Sequence, residues 1–284
     1  MNKNIARNFA SAFWKVILLA LAFMIGLIGS RLLFYQLGIA PPRLSAQAPE
    51  SIAIYYLLTG SLILTLGLFP LIHKIEGNFM SRFLIVFLFL FTCFGISVSV
   101  ENSIYTTESS PWITLVLLMP CLIFALVAIL LTKTQFSSDK FSEKLKEFFK
   151  TQTTKQWLWK FFLAIVSFPI IYFIFGLIVS PFVMDYYQQS NLSLTVPAAG
   201  IIISVQVFRS FLFLLVTLPI LITWTGNKTQ LFLFLGLAHF VFVFSYDFVL
   251  AIQLPLALEL IHGVEILLDS LVYAWVIVKL LTIE

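Results

Sequence analysis

The stretch Leu256–Leu281, LALELIHGVEILLDSLVYAWVIVKLL, decides the fold of this chain. A helix rises about 1.5 Å per residue, so this run is about 39 Å long and can cross a hydrocarbon core of about 30 Å. Successive helical residues turn by about 100°, which places its polar side chains within an arc of about 120°. These side chains are Glu259, His262, Glu265, Asp269 and Tyr273. The pattern predicts a membrane helix with one polar stripe.

The other faces of this helix are apolar, with Leu260, Val264 and Leu267 among their residues. Ionisable groups at bilayer depth cost about 2.5 to 3.5 kcal/mol each on insertion scales, so they face a partner or a water-filled cavity. The stripe therefore predicts a polar site inside the membrane.

The composition excludes an ordinary soluble protein. The 284 residues are 61% hydrophobic and 11% charged, whereas soluble domains average about 45 to 50% apolar and about 25% charged residues. Helices are expected because backbone polar groups in lipid need partners within their own segment. We predict an all-α polytopic bundle forming a single integral membrane domain, 1–284. Eight runs are long enough to span: 13–37, 51–72, 83–100, 112–131, 157–183, 198–224, 231–251 and 256–281.

Basic residues alternate between the predicted loops. Seven lysines lie from Lys133 to Lys160, within the loop 132–156 or just after it. The loops predicted on the opposite side of the membrane hold only Arg43 as a basic residue. By the positive-inside rule both termini are cytoplasmic, and a count of eight spans is consistent with this. We expect a multi-pass protein of a bacterial-type inner (plasma) membrane. The net charge of +4 follows from this topology and does not indicate nucleic-acid binding.

The cytoplasmic loop 132–156 contains an amphipathic pattern. Phe141, Leu145, Phe148 and Phe149 recur at helical spacing with lysines between them. This pattern predicts a helix on the inner leaflet, with anionic lipid bound over 138–160 at about 1 kcal/mol per lysine. Docking of a cytoplasmic protein partner is the alternative.

Several further polar residues fall at the depth of the stripe, roughly 6 to 20 Å from the predicted outer ends of their spans. The polar-site spans therefore cover 198–281, with a contribution from the first span. The candidate acid–base residues are His239, His262 and Glu265. The candidate binding residues are Arg31, Gln206, Arg209, Asp247, Glu259, Asp269 and Tyr273.

Each candidate also has a structural interpretation. Arg209 with Asp269 or Glu265 predicts a buried ion pair between two helices. His239 on a Phe-rich helix is typical of a hydrogen-bonded core histidine. No HExxH or similar spacing is present, so no metal site is predicted, and the cofactor is left open. The two cysteines, Cys93 and Cys121, are expected to be buried thiols.

The stretch 207–213, VFRSFLF, followed by LGLAH at 235–239 and by His262, resembles the CAAX-processing (Abi) intramembrane protease family. The resemblance covers about the last 90 residues. It implies a hydrolase in which Glu and His residues activate water, with or without a bound metal. The paired glutamates of the family's EExxxR motif are Ser204 and Val205 here, which implies an inactive relative. The chain also resembles the exosortase-like transpeptidases, because Cys121, Arg209 and His239 follow the order of that family's Cys, Arg and His residues.

These observations predict an outward-facing intramembrane pocket that binds or passes a small polar or ionic species while exchanging protons. A membrane-embedded hydrolase, active or inactive, is the second interpretation. A structural subunit whose stripe contacts another protein's helix is the third.

Overall fold

A computed structural model of the chain describes residues 3–39, 50–107, 110, 112–132, 140–189, 192–250 and 254–282. Within these ranges the protein is helical throughout and forms no strand. The helices are α1 Lys3–Gln36, α2 Glu50–His73, α3 Phe79–Leu90, a π-helical segment Phe91–Ser97, α4 Val98–Tyr105, α5 Ile113–Leu131, α6 Phe141–Lys150, α7 Thr154–Tyr187, α8 Ala199–Thr223, α9 Lys228–Leu250 and α10 Leu256–Leu281. Each predicted run corresponds to one of these helices, and α3, the π segment and α4 together form the third.

Seven of these helices are long and apolar enough to cross a membrane, when α3, the π-helical segment and α4 are counted as one. They are α1, α2, α3 with α4, α5, α7, α8 and α9. The protein is therefore a multi-pass helical membrane protein. The helix α10 is not among the seven, and it carries the polar stripe. It nevertheless runs antiparallel to α7 inside the bundle, since His262 lies beside Tyr187 and Tyr273 beside Phe168, with ring centroids 6.4 and 4.9 Å apart.

Glycines let neighbouring helices approach closely. A Cβ atom built on Gly26 of α1 would lie 2.6 Å from the Cα of Pro120 in α5. One built on Gly67 of α2 would lie 2.4 Å from a side-chain methyl of Val241 in α9. Hydrophobic driving force between helices is weak in lipid, so close backbone packing of this kind holds membrane helices together.

Backbone hydrogen bonds connect loops at both ends of the bundle. At the lysine-rich end, which contains 74–78, 140–155 and 224–228, Glu76 N donates to Thr223 O at 2.9 Å. At the opposite end, Thr107 N donates to Ser193 O at 2.9 Å and Thr195 N donates to Tyr105 O at 2.8 Å. The second connection fixes the end of α4 beside the segment that leads into α8.

The amphipathic helix is confirmed as α6. Its apolar side is partly covered by the bundle, because the ring of Phe148 stacks on Trp157 at 4.7 Å and Trp157 Nε1 donates to Phe149 O at 3.1 Å. Lys144 pairs with Glu76 at 3.2 Å. The helix therefore contacts protein on one side, and binding of anionic lipid by its exposed lysines stays a prediction.

Candidate functional site

The site begins at Arg209, a buried arginine near the middle of α8. It forms an ion pair with Glu101 of α4, and its Nη1 donates to Gln206 Oε1 at 2.8 Å. Its Nε donates to Ser97 Oγ at 3.0 Å. Gln206 Nε2 in turn donates to Glu101 Oε1 at 3.2 Å. A charged group at this depth needs such a complete set of partners, because an unpaired charge in a nonpolar interior is very costly.

This pairing corrects the sequence prediction. Arg209 was expected to pair with Asp269 or Glu265, but among the described residues its carboxylate partner is Glu101. The predicted third span ended at residue 100, which made Glu101 a loop residue. The helix instead continues to Tyr105, so Glu101 lies one turn beyond Ser97 and both face α8. The four-residue spacing of these two residues was the available signal.

A cavity with a volume of about 200 Å³ lies beside Glu101, the ion-pair partner of Arg209. We call it the vestibule. It lies between α4, α7, α9 and α10, toward the end of the bundle opposite the lysine-rich end, and Thr106, Leu192 and Leu194 of the connecting loops form part of its wall. Its five carboxylate side chains are Glu101, Asp247, Glu259, Glu265 and Asp269. The predicted stripe of α10 therefore does line a polar pocket within the chain.

His262 also lines the vestibule. Its Nδ1 lies 2.8 Å from Glu265 Oε2, within hydrogen-bonding distance. The two residues are three apart on α10, a spacing at which helical side chains meet. The His262 side chain is 28% exposed and that of Glu265 is 9% exposed, so the imidazole reaches the vestibule more openly than the carboxylate does.

Aromatic side chains form much of the remaining wall. The hydroxyls of Tyr105 and Tyr172 lie 2.8 Å apart, and that of Tyr246 lies 3.1 Å from Ser99 Oγ. Because these hydroxyls contact one another or other polar groups of the chain, the rings present mainly their faces and edges to the vestibule. The aromatic residues of the vestibule are Tyr105, Tyr172, Tyr187, Phe244, Tyr246 and Phe248.

A second cavity of about 40 Å³ lies deeper in the bundle. We call it the inner chamber. Arg209, His239, Ser270 and Tyr273 line it, and it shares Glu101 and Asp269 with the vestibule. The two cavities therefore adjoin at these two carboxylates. A cavity needs roughly 10 to 15 Å³ to hold one water molecule, so the inner chamber has room for a group of that size.

His239 faces the inner chamber and is 4% exposed. Neither of its ring nitrogens has a hydrogen-bond partner in the part of the chain that the structure describes. The expected hydrogen-bonded core histidine is therefore not observed. Such a buried, unpartnered imidazole is costly unless a molecule in the cavity bonds to it.

Four aromatic rings lie around the imidazole of His239, and the ring of Phe242 is the farthest, with ring centroids 6.5 Å apart. Phe213 stacks on the imidazole with ring centroids 5.0 Å apart, and Phe89 and Tyr273 lie at 5.8 and 6.0 Å. Phe213 is one turn beyond Arg209 and Tyr273 one turn beyond Asp269, on the way to the lysine-rich end. We call Phe89, Phe213 and Tyr273 the aromatic floor.

Eight of the ten candidate residues line one of the two cavities, and a ninth, Gln206, contacts Arg209 beside the inner chamber. The exception is Arg31, which lies on α1 and lines neither cavity. Cys121 is buried in α5 and also lines neither, so the order Cys121, Arg209, His239 does not correspond to one site. No cluster of three or more His, Cys, Asp or Glu residues suited to a metal ion occurs among the described residues.

The third interpretation of the stripe also changes. Glu265, Asp269 and Tyr273 are buried against the chain's own helices, so the stripe does not form a surface for another protein. The exposed face of α10 is apolar and includes Leu260, Val264 and Trp275.

Comparison of the chain with protein-family models, with curated proteins and with solved structures finds no match in any of the three, so the geometry of the two cavities carries the functional argument.

Proposed function

We propose that this protein binds or passes a small cationic or polar species through the vestibule, with proton exchange at the site. The observation that carries the proposal is the charge of the wall. Five carboxylates line the vestibule, and the one arginine beside them, Arg209, is already paired with Glu101. An acidic cavity with low-dielectric walls raises the local concentration of cations.

The pair His262 and Glu265 would exchange the protons. Histidine changes charge near neutral pH, and the 2.8 Å contact with Glu265 gives the proton a partner on either residue. A cation that enters the acidic vestibule competes with those protons for the same carboxylates. This competition links occupancy of the vestibule to pH.

The second candidate is a membrane-embedded hydrolase or an inactive relative of one. It is supported by the placement of Arg209 and His239 around one chamber, as the resemblance to CAAX-processing proteases implies. In this case His239 and His262 would act on water and Glu265 would serve as the acid or base.

The proposed topology has eight spans, with both termini and 132–156 in the cytoplasm and the vestibule facing outward. A reporter fused after Glu284 and a tag inserted within 132–156 should both be detected in the cytoplasm, because lysines are retained on that side. A tag within 106–112 is the matched insertion and should be detected outside. A cytoplasmic signal from the tag at 106–112 would exclude this orientation.

Replacing His262 with alanine should lower proton-coupled flux by at least about tenfold, because the change removes the imidazole that exchanges the proton. The melting temperature should change little, because the His262 side chain is partly exposed. The measurement uses proteoliposomes that contain a pH-sensitive dye. Small inorganic and organic cations are added outside, and the change in internal pH is recorded.

Leu260→Ala is the matched control for His262→Ala. Leu260 lies two residues away on the lipid-facing side of α10, so this change should leave the flux intact. Full activity of His262→Ala, or equal loss in both variants, would contradict the proposed role of His262.

A further inference from the structure

We infer that the two joined cavities form a binding site for a small primary ammonium compound, with its ammonium group in the inner chamber and its carbon body in the vestibule. This inference rests on the proposed function and names its substrate class. It depends on three features: the spread of the carboxylates, the aromatic wall, and the unpartnered His239.

The carboxylates are spread over the wall and do not converge on one point. Among the described residues, no three His, Cys, Asp or Glu side chains lie close enough together to hold a metal ion. A point-charge cation such as Ca²⁺ takes six to eight oxygen ligands at about 2.3 to 2.6 Å. A cation of several atoms fits a dispersed negative wall better than such an ion does.

The aromatic wall suits the carbon body of such a cation. Six aromatic side chains line the vestibule, and the hydroxyls of Tyr105, Tyr172 and Tyr246 contact other protein groups. Aromatic rings attract organic cations and cover alkyl groups. A vestibule of about 200 Å³ is smaller than the roughly 300 to 1,000 Å³ of sites for drug-sized ligands, so the body has only a few carbons.

The inner chamber suits the ammonium group. A neutral imidazole has one acceptor nitrogen, and both nitrogens of His239 lack a partner in the described part of the chain. An ammonium N–H donated to His239 would satisfy that acceptor. The chamber of about 40 Å³ has room for a group about the size of a water molecule.

Asp269 supplies the counter-charge. It lies at the junction of the two cavities and is 7% exposed. Within the described part of the chain it accepts a side-chain hydrogen bond from Ser270 Oγ, at 3.4 Å. Arg209 also borders the inner chamber, but Glu101 neutralises it. Among the described residues Asp269 therefore has no basic partner at the junction, and a bound ammonium group would supply one.

The test measures binding of butylammonium, butyltrimethylammonium and butanol to the full chain in phosphatidylcholine nanodiscs by calorimetry. Butylammonium should bind at least about tenfold more tightly than either of the other two, because it alone offers charged N–H donors to His239 and Asp269. Asp269→Asn should weaken butylammonium binding by about tenfold or more. Tyr187→Leu, in the vestibule wall, should weaken it by about two- to fivefold.

Glu143→Gln is the matched control, since it removes an exposed carboxylate of α6 and should leave binding unchanged. Equal binding of butanol and butylammonium, or tighter binding of the quaternary compound, would overturn the inference. If Asp269→Asn does not fold, His239→Leu and Tyr187→Leu decide the matter, and unchanged butylammonium binding in both would also overturn it.

The two proposals fail separately. Proton-coupled flux of inorganic cations without any binding of butylammonium would overturn the amine site and leave the proposed function intact. Tight butylammonium binding with full activity of His262→Ala would contradict the proton exchange and support the amine site.

Discussion

Replacing Arg209 with alanine should lower the free energy of unfolding by about 3 to 5 kcal/mol, because the change leaves the carboxylate of Glu101, which is only 15% exposed, without its charged partner. Arg209 also donates to Gln206 and Ser97, and these acceptors would lose their donor. Reversible unfolding of the purified protein in mixed detergent micelles, followed by circular dichroism, gives the free energy directly.

A double variant identifies the partner. Arg209→Ala with Glu101→Gln should recover part of the loss, since no unpaired charge then remains between α4 and α8. Arg209→Ala with Asp269→Asn is the matched double variant and should recover much less, because the structure pairs Arg209 with Glu101. Equal recovery in the two doubles would show that the arginine is shared among the carboxylates.

Gly26→Ala should destabilise the protein by about 1 to 3 kcal/mol through overpacking. The new Cβ would lie 2.6 Å from the Cα of Pro120, so the whole of α1 must move away from α5. Alanine normally favours a helix by up to about 1 kcal/mol over glycine, which makes a loss of stability here diagnostic of the contact. The same unfolding measurement detects it.

Gly29→Ala is the control on the same helix. Its Cβ would lie 3.1 Å from the terminal methyl of Met119, and this flexible side chain can move aside. We expect Gly29→Ala to be neutral or slightly stabilising. A comparable loss in both variants would mean that glycine flexibility, rather than close packing on Pro120, matters in α1.

The helices were predictable because bilayer thickness sets the length of each apolar run. The polar stripe of α10 was also predictable, since the positions of Glu265, Asp269 and Tyr273 follow from the geometry of one helix. These three side chains are buried against neighbouring helices, as the cost of charge in lipid requires. Local periodicity therefore identified most of the site residues.

The partners across helices were not predictable in the same way. The contact between Arg209 and Glu101 joins residues 108 positions apart in the sequence, and it depends on continuation of the third span through a π-helical segment. A hydropathy pattern ends a span at its first polar residues, which are Glu101 and Asn102 here. His239 lacks a partner because rings from other helices surround it, and the spacing of residues within one helix does not specify those neighbours.

The aromatic floor packs against the imidazole of His239 in this conformation. Phe89, Phe213 and Tyr273 lie next to the imidazole, so a solute that moved past His239 on their side would have to separate these ring contacts. Ring contacts of this kind are worth about 0.5 to 1.5 kcal/mol each, so separating three costs about 3 kcal/mol. An opened state would then be populated on the order of once in a hundred molecules. In the proposed transport, turnover across the bilayer would be limited by how often this rare state forms. The affinity of the site would be set by contacts that the solute makes before the rings separate.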